Sequence, residues 1–244
     1  MIKTIRKRHG IVVILDALGA SSYSDEKIKR FLAARSFLNE VLANLSKQLN
    51  NISKLKKPNT YTFGDTLIVV QEFGKTDIGT QLLAFFMLMQ NYLYHSMEEG
   101  ILFRGALSVG SYIEDNGSNT VMGEAIADAA SWYEKSDWMG LSSTPRTNNF
   151  LEYYLESSDL NDPNFIVYYP VPMKDGRKID LYTVSWAGRF SHDEKEVPSP
   201  RRRFLELLKD LPVPLGTESK FENTKKYFTY VETQIGEMPI EHQS

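Results

Sequence analysis

Asp16 ends the apolar run Ile11-Val12-Val13-Ile14-Leu15, and Asp65 follows Gly64 in a short turn between two β-rich stretches. A carboxylate at the end of a buried strand is costly unless it is paired or holds a cation. Two carboxylates brought together repel unless a proton or a cation sits between them. A divalent ion resolves that repulsion and leaves coordination sites for phosphate oxygens. The segment Leu18-Gly19-Ala20-Ser21 follows Asp16 directly and leads into a helical pattern, so its backbone N–H groups are placed to meet those phosphates. Ala17 stands between the acid and the loop, and its carbonyl is a further candidate ligand. The set suits two-metal phosphoryl or nucleotidyl transfer. Taken singly, either Asp has a plainer reading as a turn or helix cap.

The elements that must position these residues follow from periodicity. Residues 10–18 are apolar and β-branched, as in a central strand. Ser24 caps a long helix whose apolar positions are Ile28, Leu32, Phe37, Val41 and Leu45. Residues 60–63 and 66–72 read as a hairpin turning at Gly64-Asp65. A second long helix spans 77–97 and closes at Gly100. A strand over 101–113 follows, then a turn at 115–118 and a helix over 123–135 with Ala125, Ala129 and Ala130 on one face. A short strand covers 139–143. The order β-α-β-β-α-β, then α-β, predicts an α+β fold of ferredoxin-like type, an antiparallel sheet with helices. In that arrangement the first strand and the central hairpin are neighbours, so Asp16 and Asp65 meet. Beyond residue 145, strands at 165–171 and 179–186 turn at Lys174-Asp175-Gly176, and two helices follow near 200–211 and 217–234. We read 1–145 as the core and 146–244 as an α/β extension packed on it within a single domain.

Composition narrows the class. The chain has 244 residues, enough to bury a core without staples. Lys and Arg number 28 against 31 Asp and Glu, a net charge of −3 that argues against a dedicated nucleic-acid or membrane-surface binder. With no cysteine, thiolate metal sites, disulfides and Cys nucleophiles are excluded, and a reducing, cytoplasmic setting is expected. The four histidines form no His-x-x-x-His pair, so any metal is held by carboxylates, pointing to Mg²⁺ or Mn²⁺. Residues 3–20 superficially resemble a signal peptide, but the apolar run is short and Asp16 ends it. No stretch approaches the ~20 apolar residues of a membrane span.

At these residues the chain resembles the catalytic domain of the class III nucleotide cyclases. Asp16-Ala17-Leu18-Gly19-Ala20-Ser21 is similar to that family's first metal motif, and Tyr61-Thr62-Phe63-Gly64-Asp65 to its Lys-x-x-Gly-Asp hairpin. The segment 102–110 with Arg104 and Gly110, the stretch Val121-Met122-Gly123 with its Ala-rich helix, and the strand 139–143 complete the likeness. It covers roughly residues 10–145.

The resemblance implies an antiparallel cyclase core, two divalent ions (Mg²⁺ or Mn²⁺) on Asp16, the Ala17 carbonyl and Asp65, and a nucleoside triphosphate substrate. It also implies a head-to-tail homodimer with active sites at the interface. The departures carry information. Tyr61 and Thr120 replace the purine-reading residues, and Ala127 and Ser131 replace the family's transition-state Asn and Arg. Another cation must then meet the triphosphate: Arg104 is the candidate, with Arg201-Arg202-Arg203 as second choice. A Tyr at position 61 suits a smaller base; Trp132, Tyr133 and Trp138 are further aromatic candidates for stacking. This pattern resembles the pyrimidine cyclases of bacterial Pycsar anti-phage systems. That likeness implies cyclic UMP or cyclic CMP made for a separate effector, with UTP favoured. Two alternatives stay open: an adenylate or guanylate cyclase with a diverged pocket, and an inactive cyclase-like domain that binds a nucleotide or a partner.

Overall fold

The computed structural model describes residues 6–20, 23–49, 56–75, 77–115, 119–156, 162–192 and 199–237. The chain runs β1 (Lys7–Ala17), α1 (Asp25–Leu49), β2 (Asn59–Phe63), β3 (Thr66–Glu72), α2 (Ile78–Glu98), β4 (Phe103–Asp115), β5 (Thr120–Met122) and α3 (Glu124–Trp132). It continues through β6 (Gly140–Ser143), α4 (Pro145–Glu156), β7 (Ile166–Pro172), β8 (Lys178–Val184), a 3-10 segment (Trp186–His192), α5 (Pro200–Lys209) and α6 (Glu218–Gly236).

One sheet gathers the eight strands in the order β2-β3-β1-β4-β6-β8-β7, with β5 paired to β4. Every pairing is antiparallel except β4 with β6. The fold is therefore α+β, with the expected β-α-β-β-α-β order in its first six elements. β1 is apolar from Ile11 to Leu15 because both its faces are covered there. Ile11, Val13, Leu15 and Ala17 join the large core that includes α2, while Val12 and Ile14 join a smaller cluster with Ala125 and Ala129 of α3. Alternation then puts Asp16 on the thinly covered α3 side.

Local signals act as expected at the helix starts. Ser24 Oγ accepts from Lys27 N (3.3 Å) and Asp77 Oδ2 from Thr80 N (2.9 Å). Three sequence expectations change. Ile28 and Leu32 of α1 are 44% and 48% exposed, whereas Ala34 and Leu38 are buried. Ala130 faces solvent, so the small-residue face of α3 is Ala125 and Ala129. α4 and β5 are additional elements. The expected turn at 115–118 falls largely on residues outside the described set, as does the side chain of Leu45.

Residues beyond 145 extend the same sheet, because β8 pairs β6 at Ser142↔Thr183. On the larger core face, Trp186, Phe190, Phe204, Tyr227 and Phe228 interlock, with Phe204 and Phe228 stacked at 4.4 Å. Trp138 lies fully buried against Tyr227 (4.5 Å) and Tyr169, so it belongs to the core. α6 also braces the approach to β6: Met139 N donates to Thr224 Oγ1 (3.0 Å), and Asn223 donates to the Asp137 carbonyl (2.8 Å).

Candidate active site

Strand register lays Phe63 of β2, Thr66 of β3, Asp16 of β1, Arg104 of β4 and Gly140 of β6 in one row across the sheet. Asp65 precedes Thr66, and its carbonyl accepts from Ala17 N at 3.3 Å, which ties the hairpin turn to the end of β1. Gly64 makes this turn possible: its φ of +59° is a conformation that side-chain-bearing residues reach at a cost. Asp65 is close enough to Asp16 that its charge is felt there. Burial raises the Asp16 pKa above the usual carboxylate range. Arg104 opposes that shift, and the charges of Asp65 and Glu134 add to it.

The loop after Asp16 is held from several sides. Leu18 N donates to the Leu102 carbonyl (2.8 Å), and the Tyr23 hydroxyl donates to the Leu18 carbonyl (3.1 Å). Gly19 turns the chain with φ of +73°, and the Ala20 carbonyl accepts from Tyr23 N (3.1 Å). Leu18 thus brings a committed amide to the loop rather than one free for phosphate. Ser21 lies outside the described residues. Tyr23 has its pKa pushed up to about 12 by burial and then by the charges of Asp65 and Asp16, so its hydroxyl stays protonated as a donor.

Arg104 stands directly across from Asp16. Its Nε (3.1 Å) and Nη2 (2.9 Å) both donate to Asp16 Oδ2. The same Nη2 lies 3.9 Å from Glu134 Oε1, on the turn after α3. Arg201, Arg202 and Arg203 are engaged elsewhere: Arg201 with Thr229 and Glu232, Arg202 with Glu206, Arg203 with Tyr94 and Glu98.

Tyr61 falls two residues along from the Asp16 row, opposite Ile68, and is buried. Its hydroxyl donates to Glu114 Oε1 (2.6 Å), which also accepts from Asn59; Arg8 pairs with Glu114 and with Glu72. Burial, then Glu114, holds the Tyr61 pKa well above the ordinary phenol value. The hydroxyl proton is therefore directed at a carboxylate of the chain itself. The exposed ring in the Asp16 row is that of Phe63, at 85% exposure. Trp132 is capped by Lys135 (4.3 Å to the ring), and the Tyr133 hydroxyl donates to Glu134 (3.1 Å).

Two residues enter that sequence reasoning missed. Glu134 is a second carboxylate within ion-pair reach of Arg104. Lys174, in the β7–β8 turn, has its pKa lowered by burial and then by the nearby charges of Arg104 and Lys220, so it sits in the electrostatic field of the row. Only the turn-forming character of 174–176 was visible in sequence.

The acid pair suits a hard divalent cation. Asp65 has no cationic partner among the described residues, and a guanidinium already satisfies Asp16 as a cation would. Among the described residues no three metal-ligating side chains cluster.

No protein-family model matches the chain, and no curated protein matches it. Among solved structures it is similar to the catalytic core of a rhodopsin-guanylyl cyclase with converted specificity in complex with ATPαS, at 14% identity and a TM-score of 0.44, covering 75% of this chain and 98% of that one. It is also similar to an adenylate/guanylate cyclase/hydrolase from Silicibacter pomeroyi (12% identity, TM-score 0.46, 74% of this chain and 98% of that one). A third is the guanylyl cyclase Cya2 (10% identity, TM-score 0.43, 74% and 92%).

Proposed function

We propose that the chain is a nucleotidyl cyclase that converts a nucleoside triphosphate to its 3′,5′-cyclic monophosphate and pyrophosphate. One observation carries the reading: Asp16 and Asp65 are brought together at one end of the sheet, beside a tight loop, by the Asp16↔Thr66 register and the Ala17–Asp65 hydrogen bond. In the reaction the ribose 3′ hydroxyl gives its proton to solvent, its oxygen bonds to the α-phosphorus, and the bond from that phosphorus to the β-phosphate bridge oxygen breaks to release pyrophosphate.

Asp16, Asp65 and the Ala17 carbonyl would hold the divalent ions. When bound, Mg²⁺ or Mn²⁺ supplies charge neutralisation at the phosphates and a lowered pKa at the 3′ hydroxyl. The chain's own groups do the rest. Lys174 brings positive charge to the phosphate side, while Arg104, engaged by Asp16, acts on the acid pair itself. Gly19 and Ala20 shape the loop against the terminal phosphates, and Tyr23 holds that loop through the Leu18 carbonyl.

The finer reading is a pyrimidine substrate; it rests on the family resemblance, because Tyr61 is buried with its hydroxyl on Glu114 and does not offer an open ring to a base. With its hydroxyl on Glu114, Tyr61 no longer argues for UTP over CTP by donating to a base carbonyl. We further infer a homodimer with shared active sites, supported by the exposed Phe63 ring. The cytoplasmic role in anti-phage signalling through a separate effector extends from the same resemblance. A second reading, a binding domain without catalysis, is favoured by the closed Asp16–Arg104 pair.

One assay separates these. The pure protein is incubated with ATP, GTP, CTP and UTP in Mn²⁺, and cyclic products are identified. Cyclic UMP or cyclic CMP supports the finer reading, and a cyclic purine supports only the coarser one. Asp16→Asn and Asp65→Asn should each lower the rate at least about a hundredfold, the scale of losing a metal-holding or electrostatic group. No product from wild type leaves the non-catalytic reading.

A further inference from the structure

We propose that Arg104 is an exchangeable counter-ion: it occupies Asp16 in the metal-free protein and passes to Glu134 when a divalent cation takes Asp16. The inference rests on reading Asp16 and Asp65 as the metal-holding pair.

The geometry of the fork is the first reason. Arg–carboxylate pairs of high strength are bidentate, with two nitrogens on two oxygens. Here Nε and Nη2 converge on the single oxygen Oδ2. Asp16 Oδ1 has no hydrogen bond among the described residues, so it offers an incoming cation a first foothold before the guanidinium leaves.

Charge balance is the second. Asp16 and Asp65 carry two negative charges, and Arg104 neutralises one. A divalent cation neutralises both, and the guanidinium is then left facing a like charge. Lys174 adds to that repulsion, because it already feels the Arg104 charge.

A landing place is the third. The same Nη2 that lies 2.9 Å from Asp16 Oδ2 lies 3.9 Å from Glu134 Oε1. A small side-chain rotation exchanges one carboxylate for the other, with no change in backbone. Glu134 is solvent-exposed and also accepts from Tyr133, so the handover carries the metal-bound state to the turn after α3. Arg104 is thus a positioning residue that sets how readily the acid pair accepts metal.

The test is Mn²⁺ binding to the full chain without nucleotide, followed by the electron paramagnetic resonance of free Mn²⁺. Arg104→Gln should tighten Mn²⁺ binding about tenfold, the scale of one removed charge-assisted pair. Glu134→Gln should weaken it severalfold, and the double variant should bind like Arg104→Gln alone, since Glu134 then has nothing to receive. Arg104→Lys, which keeps the charge but loses the fork, should fall between wild type and Arg104→Gln, and it serves if Arg104→Gln does not fold. Unchanged or weaker Mn²⁺ binding in Arg104→Gln, with Asp16→Asn still weakening it, overturns the inference and leaves the metal pair standing. Mn²⁺ binding indifferent to both Asp16→Asn and Asp65→Asn removes the metal pair and this inference together.

Discussion

Tyr23 is a hydroxyl donor kept protonated by its surroundings: it is part-buried, it faces two carboxylates, and it holds the loop after Asp16 through the Leu18 carbonyl. Its folded pKa, about 12, lies above the ordinary value of 10.0. The folded state therefore keeps the proton longer than the unfolded chain. The stability this contributes is fully present below pH 10 and is lost as pH rises from there through about 12. Urea denaturation from pH 9 to 12 should show wild type losing stability more steeply than Tyr23→Phe, by up to roughly 2 kcal/mol after allowance for its partial exposure. Equal slopes would mean the hydroxyl is not held as described. At this scale the sequence exposes Asp16 and Asp65, because an acid ending an apolar run and an acid after a turn glycine both stand out locally. It hides Glu114 as the partner of Tyr61, 53 residues away, since no spacing rule links them.

The hairpin of β2 and β3 shows how an element delivers a residue. An added Cβ at Gly64 would meet nothing within 4 Å, so its constraint is conformational alone. Gly64→Ala should cost about 1 kcal/mol in thermal or urea unfolding and yet lower cyclase activity more than that loss explains, because the strained turn carries Asp65. Activity matching wild type would show that the turn has slack. α6 offers a contrast, since it acts through a buried hydroxyl. Thr224→Val removes the acceptor of Met139 N and should cost about 1–3 kcal/mol, read as a shift in the urea midpoint. Helix α1 is legible from its Ser24 cap and apolar spacing, and α2 from its length and the closing Gly100. The burial of α1 is less so: Ile28 and Leu32 keep helical spacing but lie on the side the core does not reach. α4 escapes notice because polar Arg146, Thr147, Asn148 and Asn149 open it, and Thr147 and Asn148 serve buried hydrogen bonds rather than apolar packing.

Across the whole molecule, helices crowd one face of the sheet, while among the described residues α3 alone covers part of the other. Phe63, 85% exposed on this thin side, is the large apolar group nearest the acid pair in register. If two copies meet through this face, Phe63→Asp should shift light-scattering mass from dimer to monomer and abolish activity while leaving the unfolding midpoint of the monomer within about 1 kcal/mol of wild type. A wild-type monomer with full activity would refute the shared-site arrangement. The β-α-β-β-α-β order is readable from local patterns. The joining of β8 to β6 is not, because it depends on which strand edge the long connection reaches, and that edge is what brings Lys174 near Arg104.

The row from Phe63 to Gly140 is assembled from five strands, and pairing alone fixes it. Sliding β1 by a single residue against its neighbours would send Asp16 into the aromatic layer and turn Ile11, Val13 and Leu15 outward. The acids thus serve as an alignment key: a misassembled sheet buries a bare charge among rings, and only the correctly threaded chain escapes that penalty.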